Sequence, residues 1–348
     1  MSSFSALWTQ FFPPRNGAPL TESNLPSQAG RVFIVTGGSS GLGFELTRIL
    51  YHAGGKVYVL TRSKEHAEDA FTRIQSSQSK RRENAPEQDA TNTQGSLEFI
   101  HMDLTDFTTI KTAACEFLER EGPDGRLDVL FNNAGTGAVK DAPPTRQGLE
   151  YHFAVNSLGP YLLTQLLIPI LSSTVRKSPQ DSVRVVWPAS CLVDLGSPKT
   201  GIRKEFLQNT ESVKDQNELY STSKTATWFV ASEFARRQAN TGIVQIAGNP
   251  GNYITNIWRS TSRLLYYVLW PILRDPVHGA ETYLWMGFSQ SVTMDDAVAG
   301  RYAICDGRWH PGQREDLLLA LRSVEEGGSG RAAEYFDWCA EKVRDFLQ

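Results

Sequence analysis

A chain of 348 residues, 40% hydrophobic and with a net charge of −3, has room for one large α/β domain and gives no electrostatic case for binding nucleic acid. Its four cysteines, Cys115, Cys191, Cys305 and Cys339, lie far apart without metal-ligand spacing, which fits a reducing, cytoplasmic setting better than a disulfide framework. No window approaches the roughly 18 uninterrupted apolar residues of a membrane span, and the N-terminus lacks the basic start and long apolar run of a signal peptide.

Residues 1–30 read as an N-terminal arm broken by Pro13, Pro14 and Pro26. Phe4, Leu7, Trp8, Phe11 and Phe12 are expected to dock on the domain, with peripheral membrane contact as the lesser option. Residues 32–35 read as a buried strand, followed by a turn with Gly37, Gly38, Gly41 and Gly43, and then a helix carrying Leu42, Leu46, Ile49 and Leu50 on one face. A strand that feeds a helix through such a turn aims backbone N–H groups at one spot, where the helix N-terminus adds positive potential suited to a phosphate. Further strands are expected at 56–61, 97–101, 127–131, 183–187 and 242–247, with helices at 64–75, around 110–118, at 149–172 and at 217–239. Residues 76–95 are polar and without periodicity, and read as a mobile surface insertion. Strands alternating with helices at this rhythm predict βαβ units in a doubly wound, mostly parallel sheet, with ligands at the carboxyl ends of the strands.

Those ends are more polar than plain turns require. Strand two ends at Thr61-Arg62-Ser63. A dinucleotide fold places a carboxylate about 20 residues after the glycines to bind the ribose 2′-OH of NAD. Here Thr61 stands in that place and Arg62 follows, which removes repulsion against a 2′-phosphate and supplies a bidentate partner, favouring NADP(H). Strand three ends at Asp103-Leu104, where Asp103 is suited to accept from an adenine amino group or to cap the next helix. Strand four ends at Asn132-Asn133-Ala134-Gly135, small enough for a flat cofactor to approach. Tyr220 and Lys224, four apart, share a helical face, and a nearby ammonium is expected to lower the phenol's pKa from its usual value near 10.

In chain order, the glycine turn, N-N-A-G, Asn156, Ser190 and the Tyr220/Lys224 pair resemble the short-chain dehydrogenase/reductase family, in the branch with the T-G-x-x-x-G-x-G turn, over roughly residues 30–256. The resemblance implies a seven-stranded Rossmann sheet in the order 3-2-1-4-5-6-7, with helices on both faces, and Asn156, Ser190, Tyr220 and Lys224 as a catalytic tetrad. It implies cofactor contacts from Gly37, Ser39, Ser40, Gly41, Leu42 and Gly43 of the turn and from Asn133, Ala134 and Gly135 beside it. Arg62, Asp103 and Leu104, then Tyr220, Lys224, Pro250, Gly251 and Thr255, complete that set. Two departures stand out: Ser190 follows Trp187-Pro188-Ala189 in place of a run of serines, and it lies 30 residues before Tyr220. The longer gap, with the sequence of strand two and the tail around Tyr335-Phe336-Asp337-Trp338, looks like the retinol-dehydrogenase-like subgroup and its fungal relatives, several of which serve secondary metabolism.

The expected organisation is a single domain over 31–348, with a substrate lid at 251–290 and a C-terminal extension at 305–348. The stretch contains Leu264-Leu265-Tyr266-Tyr267-Val268-Leu269-Trp270 and suits either a lid over a hydrophobic, aromatic or polyketide-like ketone, aldehyde or alcohol, or a helix packed on the core or on a partner chain. A homodimer through the long helices is a further expectation from the resemblance. His152, His278 and His310 look isolated from ligand partners, so no metal is expected. The alternatives to a carbonyl reductase are a non-redox lyase, isomerase or cyclisation catalyst on the same fold, and a non-catalytic NADP(H)-binding protein.

Overall fold

The computed structural model describes residues 4–83, 95–255 and 270–348. Its strands are β1 (Val32–Thr36), β2 (Lys56–Thr61), β3 (Ser96–His101), β4 (Val129–Phe131), β5 (Arg184–Pro188), β6 (Val244–Gly248), β7 (Tyr302–Ile304) and β8 (Arg308–Trp309). They form one sheet in the order β3-β2-β1-β4-β5-β6-β7-β8. The first seven are parallel, as expected for a Rossmann sheet. The expected count of seven is corrected to eight: β8 folds back antiparallel on β7. Two residues are too few to show an alternation in sequence, but Asp306 and Gly307 both take positive φ in the turn, the conformation that Asp-Gly favours at hairpin tips.

The helices used below are α1 (Phe4–Phe11), α2 (Gly41–His52), α3 (Lys64–Glu83), α4 (Phe107–Glu121), α5 (Tyr151–Val175), α6 (Leu192–Leu195), α7 (Gln216–Arg237), α8 (Pro276–Phe288) and α9 (Arg331–Val343). Because strand side chains alternate, Ile34, Tyr58, Leu130 and Val185 enter one core with α4, α5, α7 and α9. Phe33, Val35, Val57, Val59, Val129 and Val186 enter a second core with α2 and α8. The sheet is therefore covered on both faces, and only the strand ends are left for chemistry. Helix α5 is long and apolar enough to cross a membrane, yet 61% of its most apolar stretch is buried inside the protein, where it packs as a core helix.

Several boundaries differ from the sequence reading. Helix α3 runs on to Glu83, so residues 76–83 of the expected insertion are helical, and residues 84–94 lie outside the described residues. The stretch expected as a lid divides likewise. Residues 256–269 lie outside the described residues, while α8 buries Ala280, Tyr283, Leu284 and Met286 against the sheet and belongs to the core. The C-terminal stretch is also core: α9 buries Tyr335, Phe336, Trp338 and Cys339, and the Tyr335 hydroxyl donates to Ser157 Oγ at 2.9 Å. The N-terminal arm docks on the domain through Ala6 and Gln10, both fully buried, with Trp8 and Phe12 stacked on its outer side.

Candidate active site

The glycine turn joins β1 to α2 at the point where the sheet order reverses between β1 and β4. A Cβ at Gly43 would stand 2.5 Å from the Gly37 carbonyl and 2.4 Å from Asn133 Nδ2, so only glycine lets α2 start this close to the turn. Gly41 opens the helix with a φ of 55°, a left-handed conformation that suits glycine, and Thr255 lies directly over it. Ser40, the N-cap residue, gives no side-chain hydrogen bond to the first turn, and that turn carries no acidic residue. The N-terminal N–H groups of α2 are thus left for an anion. Asn133 Nδ2 donates to the Thr36 carbonyl at 2.8 Å, and the Ala134 N–H donates to Thr36 Oγ1 at 2.8 Å, which fixes N-N-A-G against the turn. Asn132 is turned the other way and donates to Thr164 of α5.

Arg62 follows β2 as an exposed side chain with no ion pair among the described residues. Asp103 Oδ1 accepts from the backbone N–H and hydroxyl of Thr105 at 2.9 and 2.8 Å. The cap of α4 is Asp106, whose side chain accepts from the Thr108 N–H. The expectation that Asp103 caps this helix is corrected accordingly; the helix starts one turn later. Leu104 packs into the core against Gly159.

Asn156 sits in a π-helical turn, Ala154–Leu158, inside α5, where the Gly159 N–H reaches back to the Ala154 carbonyl. Such a turn widens the helix locally and is frequent at functional positions. The Asn156 side chain accepts from the Thr136 N–H at 2.9 Å and donates to Ser223 Oγ at 2.9 Å, and Thr227 Oγ1 donates to its backbone carbonyl. Ser223 Oγ in turn donates to the Tyr220 carbonyl at 2.7 Å. Gly135 packs between Asn156 Oδ1 and Lys224 Nζ, 2.9 and 3.2 Å from where its Cβ would be. Asn156, Gly135 and Lys224 therefore meet at one place, as the ordered motifs suggested. Thr136, Ser223 and Thr227 were not singled out in sequence, although Ser223 lies inside the Tyr220/Lys224 motif and its spacing put it within reach.

Helix α7 starts at Asp215, whose carboxylate accepts from the Asn217 and Glu218 N–H groups. The helix that this cap starts puts Tyr220 and Lys224, four residues apart, on one face. Tyr220 is half-buried, and burial pushes its pKa up to about 12 against the opposing hydrogen bond from Ser190. Lys224 is buried, donates to the Pro188 carbonyl at 3.2 Å, and is pushed down by that burial to about 8. The expected lowering of the phenol by the ammonium is corrected: desolvation dominates, and Tyr220 is held as a neutral proton donor. Pro188 ends β5 opposite Gly248 and leaves its carbonyl pointing at Lys224. Ser190 is held by Tyr302, whose hydroxyl accepts the Ser190 N–H at 3.1 Å and donates to its carbonyl at 2.9 Å. Ser190 Oγ accepts from the Leu192 N–H, so its own hydrogen is turned outward. After β6, the Pro250 carbonyl accepts from Tyr253 and Thr282, and Asn249 Oδ1 accepts the Gly251 N–H at 3.0 Å.

The histidines expected to be isolated all have carboxylate neighbours. His152 Nδ1 lies 2.7 Å from Glu150, His310 Nε2 lies 2.9 Å from Asp194, and His278 Nδ1 lies 2.9 Å from Glu281. His278 and Glu281 also come near Asp306, but both Asp306 oxygens already accept from Arg274 at 2.8 Å.

The model of the short chain dehydrogenase family matches residues 31–179. A short-chain dehydrogenase/reductase of Phomopsis amygdali is 38% identical over 99% of both chains, and one of Neocamarosporium betae is 35% identical over 99% of this chain and 94% of its own. The chain belongs to the short-chain dehydrogenase/reductase family. Its fold is shared with the Pseudomonas aeruginosa RhlG/NADP active-site complex, at a TM-score of 0.58 and 23% identity over 82% of this chain and 98% of that one. The NADPH-bound carbonyl reductase from chicken fatty liver has a TM-score of 0.56 at 18% identity over 82% of this chain and 99% of its own.

Proposed function

We propose that this chain is an NADPH-dependent carbonyl reductase that takes a hydrophobic ketone or aldehyde, aromatic or polyketide-like, of the kind used in secondary metabolism. The observation that carries this reading is Tyr220: a neutral phenol hydrogen-bonded to Ser190 and one helical turn from a buried lysine, at the carboxyl ends of β5 and β6. Support for the cofactor comes from the cradle at Gly43, the uncapped start of α2 and the exposed Arg62, which suit a pyrophosphate and a 2′-phosphate. Thr255, packed over Gly41, and Gly251, held by Asn249, would face the nicotinamide half of the cofactor.

When bound, the nicotinamide supplies the hydride. Tyr220 donates its proton to the carbonyl oxygen as that oxygen becomes an alkoxide, and Ser190 donates a second hydrogen bond to the same atom. Lys224, close to Gly135 and Asn156, would hold the cofactor's ribose hydroxyls, and its ammonium is the group placed to resupply the proton that Tyr220 gives up. Asn156 fixes the Thr136 loop beside this path through its two bonds to Thr136. Two structural neighbours favour this reading by analogy: the RhlG/NADP complex and the chicken NADPH-bound carbonyl reductase.

The test follows NADPH consumption against aromatic, polyketide-like and retinoid-like carbonyls, with the products identified. Reduction with net NADPH oxidation is expected, and Tyr220→Phe should lower kcat by at least about a hundredfold. Turnover without NADPH oxidation would point to the non-redox alternative, and near wild-type reduction by Tyr220→Phe would remove the phenol from its role.

A further inference from the structure

We infer that Gln10, delivered by the N-terminal helix, is a positioning residue that ties the Ser190 loop to the nicotinamide-side loop. Its side chain is 1% exposed and both ends of its amide are used. Nε2 donates to Asp194 Oδ2 at 2.7 Å, and Oε1 accepts from Asn249 Nδ2 at 3.2 Å. Asp194 lies in α6, four residues beyond Ser190, and its Oδ2 also accepts from His310 Nε2 at 2.9 Å. The Gly312 N–H donates to His310 Nδ1, which leaves Nε2 as the ring nitrogen that donates to Asp194. Asn249 uses its other end to hold the Gly251 N–H. One buried amide therefore links the loop that carries Ser190 to the loop that carries Pro250 and Gly251.

The helix that presents Gln10 is itself anchored from outside the site. Arg308 Nη2 donates to the Thr9 and Phe12 carbonyls at 2.7 and 2.9 Å, closing the C-terminal end of α1, and Cys305 Sγ lies against the Thr9 and Gln10 carbonyls. A glutamine is suited to this place because it donates at one end and accepts at the other. A glutamate would set a second carboxylate against Asp194, and an alkyl chain would leave Asp194 and Asn249 each short of a partner in a buried site.

This inference rests on the cofactor reading above for its consequence, but not for its test. Gln10→Met keeps the length and volume of the side chain and removes both hydrogen bonds. Hydrogen–deuterium exchange of the full chain should then quicken about tenfold in two separate segments, 190–198 and 249–255. The Kd for NADPH, read by nucleotide fluorescence, should rise about tenfold in the same variant. Exchange that quickens only in residues 4–11, or an unchanged profile, would reduce Gln10 to a docking contact and overturn the inference. If Gln10→Met does not fold, Gln10→Glu replaces it: faster exchange in 190–198 is expected, and wild-type exchange there overturns the inference. A wild-type protein that fails to bind NADPH would sink the cofactor reading and leave the exchange comparison to decide the tie.

Discussion

Lys224 carries its charge where the fold least favours it. Its ordinary pKa of 10.5 is depressed to about 8 by burial. Between those two values the unfolded chain binds a proton that the folded chain releases, so stability rises with pH across that window, and the full penalty is present below pH 8. Lys224→Met should raise Tm at pH 7 by about 2–5 °C, with the gain shrinking as the pH approaches 10.5, while NADPH turnover collapses. Equal melting at pH 7 would mean that the ammonium bears no such penalty. Arg62 differs: it is exposed and makes no ion pair among the described residues, so its removal leaves folding alone. Arg62→Asp should raise KM for NADPH by about 10–100-fold and lower it for NADH, measured as the ratio of kcat/KM for the two cofactors.

The N-terminal arm is held by elements far from it in sequence. Glu22 receives Arg48 Nη1 at 2.9 Å and lies 3.2 Å from His52 Nδ1, both on α2. Burial raises the pKa of that carboxyl, but His52 and Arg48 outweigh it and bring it down to about 2. A depressed carboxylate contributes stability above its ordinary pKa of 4.5 and loses it as the pH falls through about 2. Limited acid proteolysis should therefore cut the arm sooner at pH 3 than at pH 6, and Glu22→Gln should erase that difference. These anchors also show what the sequence conceals. Tyr220 and Lys224 were legible because a helix fixes their relation within four residues. The first six strands were legible because each is an apolar run between turn residues, and their parallel sense followed from the alternation with helices; β7 and β8, three and two residues long, were not located, and the strand order came from the family resemblance. The partner of Asn156 on α7 lies 67 residues away, and the Gln10–Asp194 bond spans 184 residues. No local periodicity encodes such contacts. The desolvation that reverses the expected pKa shift of Tyr220 likewise depends on what the rest of the chain packs around it.

At the scale of the whole molecule, a buried polar side chain ties the sheet to the helix that covers one of its faces. Arg184, 3% exposed at the start of β5, donates to the carbonyls of Met286, Ser289 and Val292 and so closes the C-terminal end of α8. Burial depresses its pKa to about 10, so it stays charged at neutral pH. Arg184→Met should lower stability by roughly 2–4 kcal/mol in chemical denaturation, because three carbonyls lose a charged donor together. An unchanged midpoint would show that those carbonyls find other partners. The seating of α1 has a consequence for synthesis. Thr9 is held by Arg308, 299 residues downstream, and Gln10 is shut in by Cys305. On a ribosome, α1 lacks its Arg308 and Cys305 anchors until the hairpin of β7 and β8 has emerged, although Asp194 and Asn249 are made before it. Most of the sheet can be assembled before then, and the carboxyl ends of β5 and β6 stay open on that side. The full seating of α1 on that side therefore waits for the last strands of the sheet.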